Sequence, residues 1–130
     1  MVVIRTAQLQ AMQRDIQSRL PVQIRELLKY HRPTVADEHT DDELDVMIRN
    51  GIERARGHGI VSNRAVYVFV DLMFAIAPNF DECSLVSECL MDSEGTPDDR
   101  LFGMIAIFGD EDWKEVSLVY SFSSWGLEVD

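Results

Sequence analysis

The chain reads as all-α, a single-domain bundle of about six to seven helices spanning residues 1–130. Three features predict this. Apolar residues recur at three- and four-residue intervals in one segment after another. Most segments are bounded by residues that start or stop helices. One long apolar run, Ala65 to Ala77, is apolar nearly all round, as expected of a buried central helix over residues 63–77.

The first segment, about Thr6 to Leu20, places Leu9, Met12, Ile16 and Leu20 on one face and Gln8, Gln13, Arg14 and Gln17 elsewhere. Pro21 lacks a backbone donor and disfavours helix at Leu20, so a break or kink is expected there. A second helix, about Val22 to His31, buries Ile24, Leu27 and Leu28 and ends at Pro33, with a loop from Thr34 to Thr40. Thr40 is suited to cap the third helix, because Glu43 stands three residues on and completes a capping box. Leu44, Met47, Ile48, Ile52 and Ala55 form its buried stripe, and Arg54 and Arg56 favour its C-terminal end. Gly51 costs that helix about 1 kcal/mol relative to Ala; close approach of a neighbouring helix is the compensation expected.

Gly57-His58-Gly59 stops the third helix, with Ile60 packing back, and Ser62 caps a fourth from Asn63 to about Ala77. Pro78 closes it and Phe80 anchors the following loop. Asp81 is expected to cap a short fifth helix, about Glu82 to Met91. Thr96, Pro97, Asp98 and Asp99 are the clearest start signal: a cap, a proline at the first helical position and acids in the first turn. That helix carries Leu101, Met104, Ile105 and Phe108 and stops at Gly109. A last segment, Glu111 to about Phe122, has Trp113, Val116, Val119 and Tyr120 at helical spacing, while Val119 to Phe122 also suits a short strand. The tail 119–130 stays open between these.

Composition narrows the function. The 46% apolar content belongs to a globular chain. Cys83 and Cys89 lie six apart, on different faces of one helix, and reduced thiols in the cytoplasm are expected. Met1 to Arg5 has neither the apolar core nor the charge order of an export signal. The central apolar run is about 13 residues, interrupted by Asp71, against the roughly 20 needed to span a bilayer, so no membrane association is expected. A net charge of −11 disfavours nucleic acid. The charge is uneven: residues 1–32 hold six cations against two acids, a net +4, which leaves −15 on the remainder.

No cofactor or metal is predicted. His31, His39 and His58 fall in separate termini or loops without the one-turn spacing of helical ligands, and neither cysteine has a CxxC partner. Gly57-His58-Gly59 lacks the further glycine or lysine of a phosphate loop. Ser62, Ser84, Ser87 and Cys83 have no nucleophile elbow or flanking base. Asp71, inside the apolar helix, is expected to pair with an arginine such as Arg64 or Arg100. With no catalytic residues to nominate, the candidate site is a protein-binding surface: Asp41, Asp42, Asp45, Asp98 and Asp99 read either as a solvated surface or as an acidic patch that docks a basic partner, and Trp113 and Trp125 either as core filling or as a contact surface, with the C-terminal Trp125 read as exposed.

The stretch from Ile48 to Asp81 resembles small helical proteins encoded in bacterial type VI secretion clusters, beside spike proteins and effector-loading adaptors. The resemblance lies in Ile48 to Ala55, His58-Gly59-Ile60, Ser62-Asn63-Arg64, Phe69 to Met73, and Ala77 to Asp81. It covers roughly a quarter of the chain; beyond Asp81 the Pro and Trp that the family tends to carry are replaced by Glu82 to Ser87. It implies a cytosolic, non-enzymatic co-adaptor or chaperone whose partner is an effector toxin, an effector-loading adaptor, or both. The alternative expectation is an immunity protein that neutralises a cognate toxin, since an acidic surface suits a basic one.

Overall fold

The computed structural model describes residues 6–91 and 94–127, with side chains from residue 19 onward. The stripe Leu9, Met12 and Ile16, the opening Met1 to Arg5, Asp92 and the last three residues therefore lie outside the described parts. Within them the protein is all-helical: α1 (Thr6–His31), α2 (Pro33–Asp37), α3 (Asp41–Gly57), α4 (Asn63–Ala75), α5 (Ser84–Leu90), α6 (Pro97–Ile107) and α7 (Asp110–Ser117). Two 3-10 turns, Phe80–Glu82 and Phe122–Trp125, complete it, and no strand occurs among the described residues.

α1 continues as one helix through Pro21, where a break or kink was expected. An interior proline costs a helix about 3 kcal/mol. Burial offsets it here: Leu20, Ile24 and Leu28, one turn apart on the same face, are all buried in the core. Pro33 likewise does not open a loop. It occupies the first position of α2, whose fixed backbone angle suits a helix start, and Ala36 is buried beneath it.

α3 begins as its residues dictate. The Thr40 hydroxyl accepts from the Glu43 N–H at 3.1 Å, and the Glu43 carboxylate accepts from the Thr40 N–H at 2.9 Å. α3 lies antiparallel to α1, fixed by Lys29–Asp41 and Arg25–Asp45 ion pairs, both at 2.8 Å. It ends at Gly57 with His58 as its cap; Gly59, at φ +82°, turns the chain in the left-handed region that favours glycine. Ile60 is fully buried behind the turn. α4 then packs against α1, α3 and α6 as the central helix, with Ala65, Val66, Phe69, Val70 and Met73 buried. Gly51 is where α3 and α4 come closest: a Cβ there would lie 2.9 Å from both Met73 Sδ and Val70 Cγ2.

α4 stops at Ala75, two residues before the expected end. Proline disfavours helix at the residue before it, and Ala77, Pro78, Asn79 and Phe80 turn inward and are buried. The fifth helix also begins later than expected. Phe80–Glu82 is a 3-10 turn and Cys83 precedes α5, so Asp81 caps nothing. α6 starts on its Thr96 cap, whose hydroxyl accepts from the Asp99 N–H at 3.1 Å. Gly109 leads α7 rather than closing α6, its N–H donating to the Asp112 carboxylate at 2.9 Å. α7 ends at Ser117, well short of Phe122.

The rest of the C-terminal segment is fixed by two asparagines. Buried Asn79 donates to the Val119 carbonyl at 2.8 Å and accepts from the Ser121 N–H at 2.9 Å, doing with one side chain what a neighbouring strand would do. Asn50 donates to the Ser124 carbonyl. The Phe122–Trp125 turn is thereby laid back on α3, and Trp125 is 5% exposed with its ring 4.7 Å from Phe74. The expected exposed tryptophan is a core residue. Its indole N–H, which needs a partner once buried, donates to the Tyr120 hydroxyl at 3.2 Å.

Candidate functional site

The five acids expected to form one patch divide between two ends of the molecule. Asp41, Asp42 and Asp45 occupy the first turns of α3. Asp98 and Asp99 occupy the first turn of α6, and Asp98 reaches Val61 and Ser62 just beyond the other end of α3. A helix of 17 residues is about 25 Å long, which sets the scale of the separation.

Three of the five are engaged within the fold. Asp41 pairs with Lys29 and Asp45 with Arg25. The Lys29 ammonium holds the Asp41 carboxyl below its ordinary range, first through its hydrogen bond and then through its charge. Asp98 accepts from the Val61 and Ser62 N–H groups at 3.0 and 3.1 Å, so a side chain from the start of α6 caps the start of α4. Burial works to raise that carboxyl, but the bonds from Ser62 and Val61 outweigh it and lower it. Asp42 and Asp99 are exposed.

Asp71 pairs with neither Arg64 nor Arg100. Arg32, at the end of α1, grips it with two bonds, 2.6 Å from Nε and 3.0 Å from Nη2. The fork of the guanidinium matches a carboxylate, and the half-buried contact ties α1 to α4. Arg64 instead lies over the Phe102 ring at 5.2 Å, and Arg100 donates to the carbonyls of Leu90, Glu94 and Gly95.

The most connected charged cluster is one that residue-by-residue reading missed. Asp81 has a side chain 9% exposed, and both its oxygens are taken. Oδ1 accepts from Arg54 at 2.8 Å and Oδ2 meets His58 Nε2 at 2.8 Å. Arg54 also reaches Glu82 at 3.4 Å, and Glu82 accepts from Asn79 at 3.0 Å. Burial pushes the Asp81 carboxyl up, yet His58 and Arg54 together hold it below its ordinary value. Arg54 and His58 lie four apart on α3, and that spacing was the available signal. With both oxygens occupied, the cluster acts as a clasp between the end of α3 and the Pro78–Glu82 turn.

Among the described residues, no three His, Cys, Asp or Glu converge on a metal position. No described helix is long and apolar enough to cross a membrane. Cys83 is buried, Cys89 is half-buried, and they are not joined.

What remains for a partner is a set of apolar surfaces with charged rims. One groove, about 290 Å³, runs between α1 and α4 over Leu20, Ile24, Leu27 and Tyr67. A larger one, about 450 Å³, lies where the end of α4 meets α7; Ile76 and Trp113 form its floor, with Asp110, Glu111, Lys114 and Ser117 around it. Of the expected site residues, Trp113 lines this groove and Asp99 lines another, of about 310 Å³, on α6; Trp113 is half-buried and held 4.9 Å from the Phe108 ring. Leu118, directly after α7, is 84% exposed.

No protein-family model matches this chain, and neither the curated proteins nor the solved structures contain a match.

Proposed function

We infer that this protein is a non-enzymatic, cytoplasmic protein-binding module, a co-adaptor or chaperone that assists the loading of a type VI secretion effector. The observation that best supports this reading is the surface left after the fold has satisfied its own charges. Asp41, Asp45, Asp71, Asp81 and Asp98 serve internal contacts. Asp42, Asp99, Asp110 and Glu111 stay exposed, and large apolar side chains such as Ile107, Leu118 and Phe122 face solvent. An exposed apolar surface rimmed by charge is what a protein-binding module needs. The secretion context rests on the resemblance over Ile48 to Asp81.

The net charge of −11 favours a second reading, an immunity protein that covers the active site of a basic toxin. One paired experiment separates the two. The gene is deleted in a producing strain, and both secreted effector and self-intoxication are measured. Loss of secretion without self-killing is expected of a co-adaptor. Self-killing with normal secretion would replace that role with immunity.

A further inference from the structure

We propose that the groove between the end of α4 and α7 is the docking site for a basic amphipathic segment of a partner protein, with a bulky apolar anchor seated on Ile76 and Trp113. This rests on the protein-binding reading above and names the partner's chemistry. The floor is prepared for an apolar side chain: the Trp113 ring packs at a tilt of 60° against Phe108, which orients its indole before a partner arrives. A volume of about 450 Å³ accepts one or two large side chains rather than a whole element.

Charge complementarity selects the occupant. Asp110 and Glu111 stand at the start of α7, and no described cation lies within 4.0 Å of either. This contrasts with Asp41 and Asp45 on α3 and Asp71 on α4, which the protein pairs itself. An anionic lipid, a nucleic acid or an acidic peptide would be repelled there, while a lysine or arginine beside the anchor would be drawn in. Lys114, one turn further along α7, gives the groove a direction. The partner's cation faces Asp110 and Glu111, and its uncharged or acidic end faces Lys114.

The test uses the full chain and a short amphipathic peptide with two leucines one helical turn apart, lysines at one end and an uncharged other end. The protein has two tryptophans, Trp113 in the groove and Trp125 buried against Phe74, so their indole N–H resonances are site and internal control. The peptide is expected to shift Trp113 saturably and leave Trp125 in place, and its glutamate counterpart to shift neither. The double variant Asp110→Lys/Glu111→Lys should weaken binding by about tenfold at low salt. Asp37→Lys/Asp42→Lys makes the same change in net charge, from −11 to −7, at exposed residues of α2 and α3, and should leave affinity within about twofold. Equal weakening by both variants, or a peptide that leaves Trp113 unmoved, would overturn the groove assignment. If that happens while deletion of the gene still abolishes secretion, the binding role survives on another surface. If deletion has no effect on secretion, the co-adaptor reading fails whatever the peptide does.

Discussion

Asp81 shows how one side chain can decide the local structure around it. Its two oxygens join Arg54 and His58 on α3 to the turn after α4, and the contact is largely shielded from water. The fold therefore holds this carboxyl below its ordinary value. A depressed carboxyl contributes stability that is present above its unfolded pKa and is lost as the pH falls through the folded one. The unfolded value is near 3.8, so the loss begins as the pH falls toward that point. Urea midpoints measured between about pH 5 and about pH 2 should fall more steeply for the wild type than for Asp81→Asn. At neutral pH Asp81→Asn should cost about 2–3 kcal/mol, since it leaves Arg54 without its main partner. Asn79 is the second such residue. Asn79→Ala leaves the Val119 carbonyl and Ser121 N–H without their bonds and should cost about 1–3 kcal/mol. Hydrogen exchange should then accelerate at Ser121, while the middle of α4 keeps its protection.

At the scale of the element, three capped starts were legible, while the starts at Pro33 and Ser84 and several helix ends were not. Thr40 with Glu43, Ser62, and Thr96 with Pro97 each act where a local pattern places them, because a cap involves only residues within one turn. Thr40→Ala should accordingly lower stability by about 1 kcal/mol in thermal or urea unfolding. Pro21 went the other way: the local cost was real, and burial of Leu20, Ile24 and Leu28 overrode it. Asp71 was visible as an unusual acid and Asp81 was read as a cap; their partners, Arg32 and Arg54, lie 39 and 27 residues away. Only the docking of helices reveals such pairs. Gly51 joins the two levels. Its cost to α3 and its compensation were both readable, and the 2.9 Å approaches to Met73 and Val70 supply the reason. Gly51→Ala should destabilise by about 1–2 kcal/mol, because overpacking against a stiff, β-branched Val70 exceeds the gain in helix propensity. An unchanged or raised melting temperature would show that α4 can move aside.

Over the whole molecule, the all-helical class and the central helix followed from periodicity, whereas the surface did not. The acids at 41, 42, 45, 98 and 99 looked like one patch because charge counts carry no position. The fold spends Asp41, Asp45 and Asp98 on its own joints, sets the two groups at opposite ends of α3, and buries Trp125. Trp113 lines a groove with Ile76 and the residues of α7. The partner-facing role is proposed for that groove, on a protein whose remaining acids keep it strongly negative. Secreted effector, measured in a producing strain lacking the gene and complemented in turn by wild type, Asp37→Lys/Asp42→Lys and Asp110→Lys/Glu111→Lys, tests this most directly. The first two should restore secretion and the third should not. Full secretion in the uncomplemented strain would contradict the account.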